Sequence, residues 1–251
     1  MLLQQTIETL EKLRLHEMVT GLREQESDTR YHDMTFLERL GFLADRELIS
    51  VENRKLAARL TKAKLRQQAV FEDIDMRAAR GLNKSQIMEL GTCRWIRDHQ
   101  DLLIIGPTGV GKTWLACAIA HKACREGFSV SYQRLSKLLY ELSINKGEGR
   151  YLKALKALGQ VEVLILDDWG LEMLDKDKRQ DLLEILEDRS GRKSTLITSQ
   201  LPTDAWHPFI GDETIADAIL DRLIHNSVII NLKGESMRKV RNTKIEKKNS
   251  E

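Results

Sequence analysis

Between two apolar segments stands the sequence Gly106-Pro107-Thr108-Gly109-Val110-Gly111-Lys112-Thr113. It fits the pattern G-x-x-x-x-G-K-[ST], the P-loop, whose backbone N–H groups turn inward around a polyphosphate. In this pattern Lys112 reaches the β- and γ-phosphates, and the hydroxyl of Thr113 helps to hold Mg²⁺. Residues 101–105 predict a short buried strand before the loop, and residues 114–120 predict a helix after it. The loop is therefore expected at a helix N-terminus, where the helix dipole favours anions.

This motif predicts a nucleotide site that takes ATP and Mg²⁺ as cofactors. We take as candidate nucleotide contacts all eight residues of the loop and the first aromatic residue after it, Trp114.

The composition indicates a helix-rich protein without a membrane span. Charged residues make up 31% of the 251 residues and aromatic residues only 5%. Apolar runs are too short to cross a bilayer, and the N-terminal sequence soon mixes in acids and amides, unlike a signal peptide. The three cysteines show no metal-ligand spacing, so we expect reduced thiols and a cytoplasmic protein.

A basic segment, residues 53–66, contains no acidic residue, although the net charge of the chain is only +2. On a helix its residues 55, 59, 62 and 66, all cations, would form one stripe beside an apolar face. Such a stripe is typical of proteins that bind the phosphate backbone of nucleic acids, and a solvated helix face can carry the same spacing. The candidate DNA contacts are Arg54, Lys55, Arg59, Lys62 and Arg66.

The first part of the chain predicts a small all-helical domain, residues 1–68. Thr35-Phe36-Leu37-Glu38 is a candidate capping box that would begin a long helix running into the basic segment. Phe36, Leu40 and Leu43 are expected on the inner face of that helix.

Beyond residue 68 the pattern alternates between strands and helices. Apolar strands separated by helices predict a parallel sheet covered on both faces, and hence an α/β P-loop domain over residues 69–240. A basic, polar tail, residues 241–251, is expected to be disordered. The predicted strands are Leu102–Ile105, Ser129–Tyr132, Val163–Leu166, Thr195–Thr198 and Val228–Asn231.

Two acids follow the third predicted strand directly and have the form of a Walker B motif. An acid at the carboxyl end of that strand would emerge beside the P-loop, where Asp167 can hold Mg²⁺. Asp168 can then orient or deprotonate the attacking water. A buried strand that ends in a solvated acidic turn has the same pattern, but its distance from the P-loop favours Walker B.

Two further residues are candidates for catalysis. Gln200 ends a strand that we expect between the P-loop strand and the Walker B strand, where it could touch the γ-phosphate and the water. Arg222 lies in a helical segment and could reach the γ-phosphate of a neighbouring subunit as an arginine finger. A surface salt bridge is the other reading of Arg222.

With these residues in place, the chain resembles the IstB/DnaC group of AAA+ ATPases, and most closely the IstB-type helper ATPases of bacterial insertion sequences. The similarity covers nearly the whole chain. The segments that carry it beyond the P-loop and Walker B are Gln86–Ile96, Thr198–Pro202, Ala218–Leu223 and Gly234–Arg238.

The resemblance implies a role for each matching residue. Asp168 stands where the family usually has a glutamate, and Gln200 stands at the sensor 1 position, where asparagine is common. Arg222 matches the arginine finger and Arg238 the sensor 2 arginine, which would contact the nucleotide. Because few residues follow Arg238, we expect no separate C-terminal lid.

The resemblance also implies a function. The protein would bind duplex DNA without strong sequence preference, form ATP-dependent homo-oligomers on it, and recruit or stimulate a transposase. A helicase loader of the DnaC type is the alternative, in which the N-terminal domain grips a helicase. A small-molecule kinase is disfavoured, because the sequence offers no lid insertion over a transferred phosphate.

Overall fold

A computed structural model describes residues 2–76 and 80–237. The chain divides into two compact units, residues 1–58 and 59–251. The predicted domain boundaries at residues 68 and 240 stay predictions. None of the helices in the described residues has the length and apolar content of a membrane span.

The first unit is helical, as predicted. Gly21 lets two of its helices approach closely, because a Cβ there would lie 2.7 Å from the side chain of Leu43. Ile7, Val19 and Leu43 form its buried centre. The unit contains α1 (Leu2–Lys12), α2 (His16–Ser27), a 3₁₀ turn (Thr29–Tyr31) and the first part of α3 (Phe36–Ala63).

The capping box at the start of α3 is confirmed. The backbone N–H and the hydroxyl of Thr35 both donate to the Glu38 carboxylate at 2.8 Å, and the N–H of Glu38 donates to the Thr35 hydroxyl at 3.3 Å. Two N–H groups that the helix leaves without partners are thus satisfied reciprocally.

The predicted inner face of α3 is wrong in two of its three positions. Leu43 is buried, but Phe36 is 68% exposed and Leu40 is 39% exposed. Glu47 of α3 is buried although it is polar. Its carboxylate accepts hydrogen bonds from the N–H groups of Glu17 and Met18 at 2.8 and 3.2 Å, and it therefore caps the N-terminus of α2.

The second unit is built on a five-stranded parallel sheet with the order β2-β3-β4-β1-β5. All five predicted strands are confirmed, and β4 lies between β1 and β3 as expected. Every residue of β1 and β4 is buried. Burial suits the apolar run Leu102–Ile105 of β1, whereas β4 buries serine and threonine side chains as well as Leu196 and Ile197. The strands are β1 (Asp101–Ile105), β2 (Val130–Arg134), β3 (Val163–Trp169), β4 (Ser194–Ser199) and β5 (Ser227–Asn231).

Helices pack against this sheet, and Trp169 of β3 meets Trp206 and Phe209 in the core at centroid distances of 4.9 and 5.6 Å. In a parallel sheet the carboxyl ends of all strands lie at one edge, where ligands bind in open α/β folds. No lid follows β5 in the described residues, which end at Met237. The helices are α4 (Lys84–Gly91), α5 (Arg94–Arg97), α6 (Lys112–Arg125), α7 (Leu135–Gly147), α8 (Tyr151–Gln160), α9 (Lys176–Arg189), α10 (Trp206–Ile210) and α11 (Glu213–Ile224), with 3₁₀ turns at Phe71–Asp73 and Thr203–Ala205.

Candidate nucleotide site

The P-loop connects β1 to α6, and its glycines shape it. Gly109 and Gly111 have φ angles of +87° and +96°, a left-handed backbone that disfavours residues with a side chain. A Cβ at Gly106 would collide with the backbone oxygen of Leu232, which follows β5. Gly111 is the N-cap of α6, so the free N–H groups of that helix end open onto the loop. Among the other predicted contacts, Pro107 and Thr108 are exposed, Val110 is buried and Trp114 is half-buried.

Lys112 and Thr113 begin α6 and point to different partners. The Lys112 ammonium donates to the carbonyl oxygens of Gly106 and Pro107 at 2.8 and 3.0 Å, so it lies within the loop. Burial lowers the pKa of Lys112, while the negative charges of Asp167 and Asp168 oppose that shift. A cation held among loop carbonyls can exchange them for phosphate oxygens, which are stronger acceptors.

Asp167 is fully buried at the carboxyl end of β3, where three hydroxyl groups donate to its carboxylate. The Thr113 hydroxyl donates to its Oδ1 at 3.0 Å, and the hydroxyls of Tyr132 and Thr198 also donate to this carboxylate. Burial, and then the bond to Asp167, raise the pKa of the Tyr132 phenol, so Tyr132 stays a donor. The contact between Thr113 and Asp167 joins the two predicted Mg²⁺ ligands.

Asp167 and Asp168 lie in a β-bulge of β3. The register passes from Leu166–Ile197 to Trp169–Ser199, so the two acids lie opposite the single residue Thr198. Bulges of this kind change the direction of a side chain next to active sites. Asp168 takes a left-handed φ of +64°, and its N–H donates to the Thr198 hydroxyl at 3.3 Å.

Cations surround the Asp168 carboxylate, which is 23% exposed. The Nε of Arg134, the last residue of β2, lies 3.1 Å from its Oδ2. The Nη1 of Arg66 lies 3.5 Å from the same oxygen and 3.4 Å from Oδ2 of Asp167. A partly exposed carboxylate beside the P-loop, oriented by two arginines, can accept a proton from water.

Gln200 joins the site through the P-loop. The Thr108 hydroxyl donates to the Gln200 Oε1 at 2.5 Å, which brings the end of β4 to the tip of the loop. The segment after β5 also covers the loop, since the N–H of Met237 donates to the Gly109 carbonyl at 2.9 Å. Arg238 lies outside the described residues.

Arg222 lies on α11 and pairs within its own chain. It donates to the Ala218 carbonyl at 2.7 Å, and its Nη2 lies 2.9 Å from the Glu187 carboxylate on α9. The side chains of Arg222 and Glu187 are 27% and 58% exposed. Pairs this exposed contribute about 0–1 kcal/mol, so a stronger anion could replace Glu187 at little cost.

The predicted basic stripe is interrupted. Helix α3 ends at Ala63, and Lys64 has a left-handed φ of +51°, so Arg66 is not on the helix. The extension of the stripe to Arg66 is therefore wrong, and Arg66 lies at the Walker B acids instead.

Two other candidate DNA contacts have partners. The guanidinium of Arg54 lies 3.0 Å from the Glu47 carboxylate, and Arg59 donates to the Cys124 carbonyl at the end of α6 at 3.2 Å. Lys55 and Lys62 are exposed.

Sequence reasoning did not assign four residues to this site: Arg66, Tyr132, Arg134 and Thr198. Arg66 was predicted to contact DNA, and Tyr132 and Thr198 lie in predicted strands.

The residues present fit ATP and Mg²⁺. Loop N–H groups and Lys112 would hold the phosphates, and the Thr113–Asp167 pair would hold the metal. The described residues contain no cluster of three or more His, Cys, Asp or Glu side chains that could hold a metal ion. Mg²⁺ usually binds through one or two carboxylates together with substrate phosphates, and the Asp167 carboxylate beside the Thr113 hydroxyl would be such a site.

Comparisons with known proteins agree with this geometry. Residues 8–245 match the family described as IstB-like ATP binding protein, and the chain therefore belongs to that family. It is 52% identical to an insertion sequence ATP-binding protein of Sinorhizobium fredii over 239 residues, 95% of this chain and 98% of the relative.

Among solved structures, the DnaC helicase loader is 26% identical with a TM-score of 0.50, over 61% of this chain and 92% of that one. DnaI shares the fold at 22% identity with a TM-score of 0.56, over 67% of this chain and 90% of that one. The protein is thus an ATPase with the AAA+ fold.

Proposed function

We propose that this member of the IstB-like family is a helper ATPase of transposition, which assembles on duplex DNA and recruits or stimulates a transposase. One observation carries the proposal. The Thr113 hydroxyl meets the buried Asp167 carboxylate beside a P-loop, in a chain that is 52% identical to an insertion sequence ATP-binding protein.

Each candidate residue has a role in this proposal. Lys112 and the loop N–H groups bind the phosphates, and Thr113 with Asp167 holds Mg²⁺. Bound Mg²⁺ neutralises charge that develops on the phosphoryl oxygens. Asp168 orients the attacking water and accepts its proton, and Gln200, fixed by Thr108, positions that water on the other side.

We propose that the active species is an oligomer in which Arg222 acts on the nucleotide of a neighbouring subunit. Arg222 would leave Glu187 for the γ-phosphate, an exchange that the weak, exposed pair permits. Arg238 remains the proposed sensor 2 residue.

The proposed DNA contacts lie in the helical region, residues 1–68. Lys55 and Lys62 are the leading candidates, because both are exposed on α3. Arg54 and Arg59 can contribute through the donors that Glu47 and Cys124 do not use. Each cation that neutralises a phosphate releases about one counterion, so affinity should fall steeply with salt at every sequence.

Sedimentation velocity of the purified protein with a duplex of a few tens of base pairs tests this proposal. With ATP and Mg²⁺ we expect a large protein–DNA complex that does not form without nucleotide. Lys112→Ala, which loses the phosphate-binding cation, should not form it. A nucleotide-bound monomer that ignores duplex DNA would contradict the proposal.

A DnaC-type helicase loader is the second candidate, favoured by the similarity to the solved DnaC helicase loader. It predicts that the protein binds a replicative helicase and prefers single-stranded DNA. A double charge reversal, Lys55→Glu with Lys62→Glu, separates the two. It should weaken duplex binding by the transposition helper at every sequence, whereas a loader would show little duplex binding for the reversal to weaken.

A further inference from the structure

Arg80 is a buried cation in the ATPase unit, and no motif accounts for it. Arg80 is only 4% exposed to solvent. Its Nη2 donates to the backbone carbonyl of Asp75 at 2.9 Å, whereas its Nε has no hydrogen-bond partner within the described residues. No carboxylate of residues 2–76 or 80–237 lies within ion-pair distance of it. Burial lowers the pKa of this guanidinium, and the charge of Asp75 opposes that shift without reversing it.

A fold rarely keeps such a group without a partner. Buried charges are normally paired, because desolvating an ion is costly and only an opposite charge or full hydrogen bonding offsets that cost. A guanidinium with an unsatisfied N–H in a dry site is therefore expected to face an anion that binds there.

The position of Arg80 identifies the anion. A Cβ built on Gly111 would lie 3.2 Å from the Arg80 Nη1, so the guanidinium stands against the N-cap of α6. This is the end of the P-loop whose N–H groups cradle the α- and β-phosphates.

The backbone of Arg80 is held next to the sheet. Its carbonyl accepts from the N–H of Lys233 at 2.9 Å, just after β5, and β5 pairs with the P-loop strand β1. Arg80 thus approaches the loop from a fixed support, which lowers the entropy lost on binding a ligand.

We propose that Arg80 is a further ligand of the nucleotide, and that its guanidinium binds the α- and β-phosphates beside the P-loop amides. This inference rests on the proposal that the P-loop holds ATP. It differs from the roles of Lys112 and Arg222, which address the β- and γ-phosphates. Arg80 would therefore hold ADP as firmly as ATP and would anchor the nucleotide rather than sense the γ-phosphate.

Arg80→Met tests this assignment, with Arg94→Met on α5 as the matched control. Arg94 is 76% exposed and pairs with Asp98 on the surface. Calorimetric titration with ATP, ADP and tripolyphosphate, each with Mg²⁺, should show about a 10- to 100-fold weaker affinity for all three in Arg80→Met, the range of a hydrogen bond to a charged group. Without ligand, its melting temperature should stay level or rise, because an apolar chain replaces a buried cation that has no carboxylate within ion-pair distance. The control should bind all three ligands like the wild type.

Three results would overturn the inference. Unchanged affinity for all three ligands would remove Arg80 from the site. Weaker ATP binding with unchanged tripolyphosphate binding would mean that Arg80 contacts the base or the ribose instead of the phosphates. Weaker binding of ATP alone, with ADP unaffected, would make it a γ-phosphate group.

If Arg80→Met unfolds, Arg80→Lys decides, since it keeps the charge and loses the planar fork. It should fold and bind ADP several-fold more weakly than the wild type, and equal affinity would refute the inference. A wild-type protein that binds no nucleotide would instead refute the proposed function.

Discussion

Replacing Asp168 by asparagine should stop ATP hydrolysis while leaving the fold and nucleotide binding intact. The backbone at this position has a φ of +64° and lies in a β-bulge. Asparagine and aspartate adopt the left-handed region more readily than other residues with a side chain. Asp168→Asn therefore keeps the bulge and removes only the carboxylate charge and its ability to take a proton.

The structure sets the expected magnitudes. A lost general base lowers turnover by about 10²- to 10⁴-fold. The ion pairs of Asp168 with Arg134 and Arg66 involve side chains that are 46% and 45% exposed. Their loss should therefore cost only about 0–1 kcal/mol of unfolding free energy.

Asp168→Ala is the informative comparison. It loses the same charge, and it also places a residue with poor left-handed propensity at φ +64°, which costs about 1–2 kcal/mol more. For a unit of this size, that difference lowers the melting temperature by about 2–8 °C relative to Asp168→Asn. Both variants should hydrolyse ATP equally slowly.

Steady-state phosphate release, titration with ATP and thermal unfolding together measure these three effects. Asp168→Asn should keep the wild-type dissociation constant for ATP within a few-fold, because the loop and Lys112 are untouched. Normal hydrolysis by Asp168→Asn would refute the role of this carboxylate. Equal melting temperatures for the two variants would refute the argument from the backbone.

Three further predictions concern other parts of the protein. Lys112→Ala should abolish ATP binding in equilibrium titrations, because no other side chain of the P-loop, residues 106–113, carries a positive charge. Retained affinity would contradict the P-loop assignment. Arg222→Ala should lower ATPase activity only where the protein oligomerises, and mixing it with Asp168→Asn protein should restore part of the turnover if the arginine acts across subunits. Burial raises the pKa of Asp101 to about 7. Because this folded pKa exceeds the ordinary aspartate value of 3.8, the native state holds the proton more tightly, and stability should fall as the pH rises from about 4 to about 7. Asp101→Asn should flatten that part of the unfolding profile, and an unchanged slope would exclude Asp101 as its source.

The parts of the fold that sequence could predict are those with local signals. The strands are short apolar runs bounded by polar residues, the P-loop is one continuous motif, and the capping box spans four residues. Each strand could be identified from its own residues. The position of β4 between β1 and β3 could be predicted only from the strand order of P-loop folds.

The end of α3 shows why other predictions failed. The basic run up to Arg66 has helical spacing and contains no glycine or proline, which are the usual stop signals. The helix nevertheless ends at Ala63, because Lys64 adopts the left-handed backbone that glycine usually supplies at this position. Tertiary contacts of Arg66 with the Walker B acids accompany this ending, and no local pattern encodes them.

The candidate site was also incomplete for a physical reason. Arg66 meets Asp167 across 101 positions of sequence and Tyr132 meets it across 35. Such pairs are created by the parallel sheet, which brings the ends of β2, β3 and β4 together. Arg80 reaches the loop through the end of β5, so its role depends on a strand that comes about 150 residues later in the chain.

The two Walker B acids differ in their partners, and this difference assigns their chemistry. Asp167 is buried and accepts hydrogen bonds from three hydroxyls, with Arg66 at 3.4 Å from its Oδ2. A divalent cation can replace or share these donors without leaving a buried charge unpaired. The bulge turns the Asp168 carboxylate towards two arginines, Arg66 and Arg134, whose side chains are partly exposed to solvent. This carboxylate can therefore approach a water molecule and accept its proton. Thr198 touches both acids, since its hydroxyl donates to Asp167 and accepts from the N–H of Asp168. Thr198→Val would therefore disturb metal binding and proton transfer together, whereas Asp168→Asn would disturb only the second.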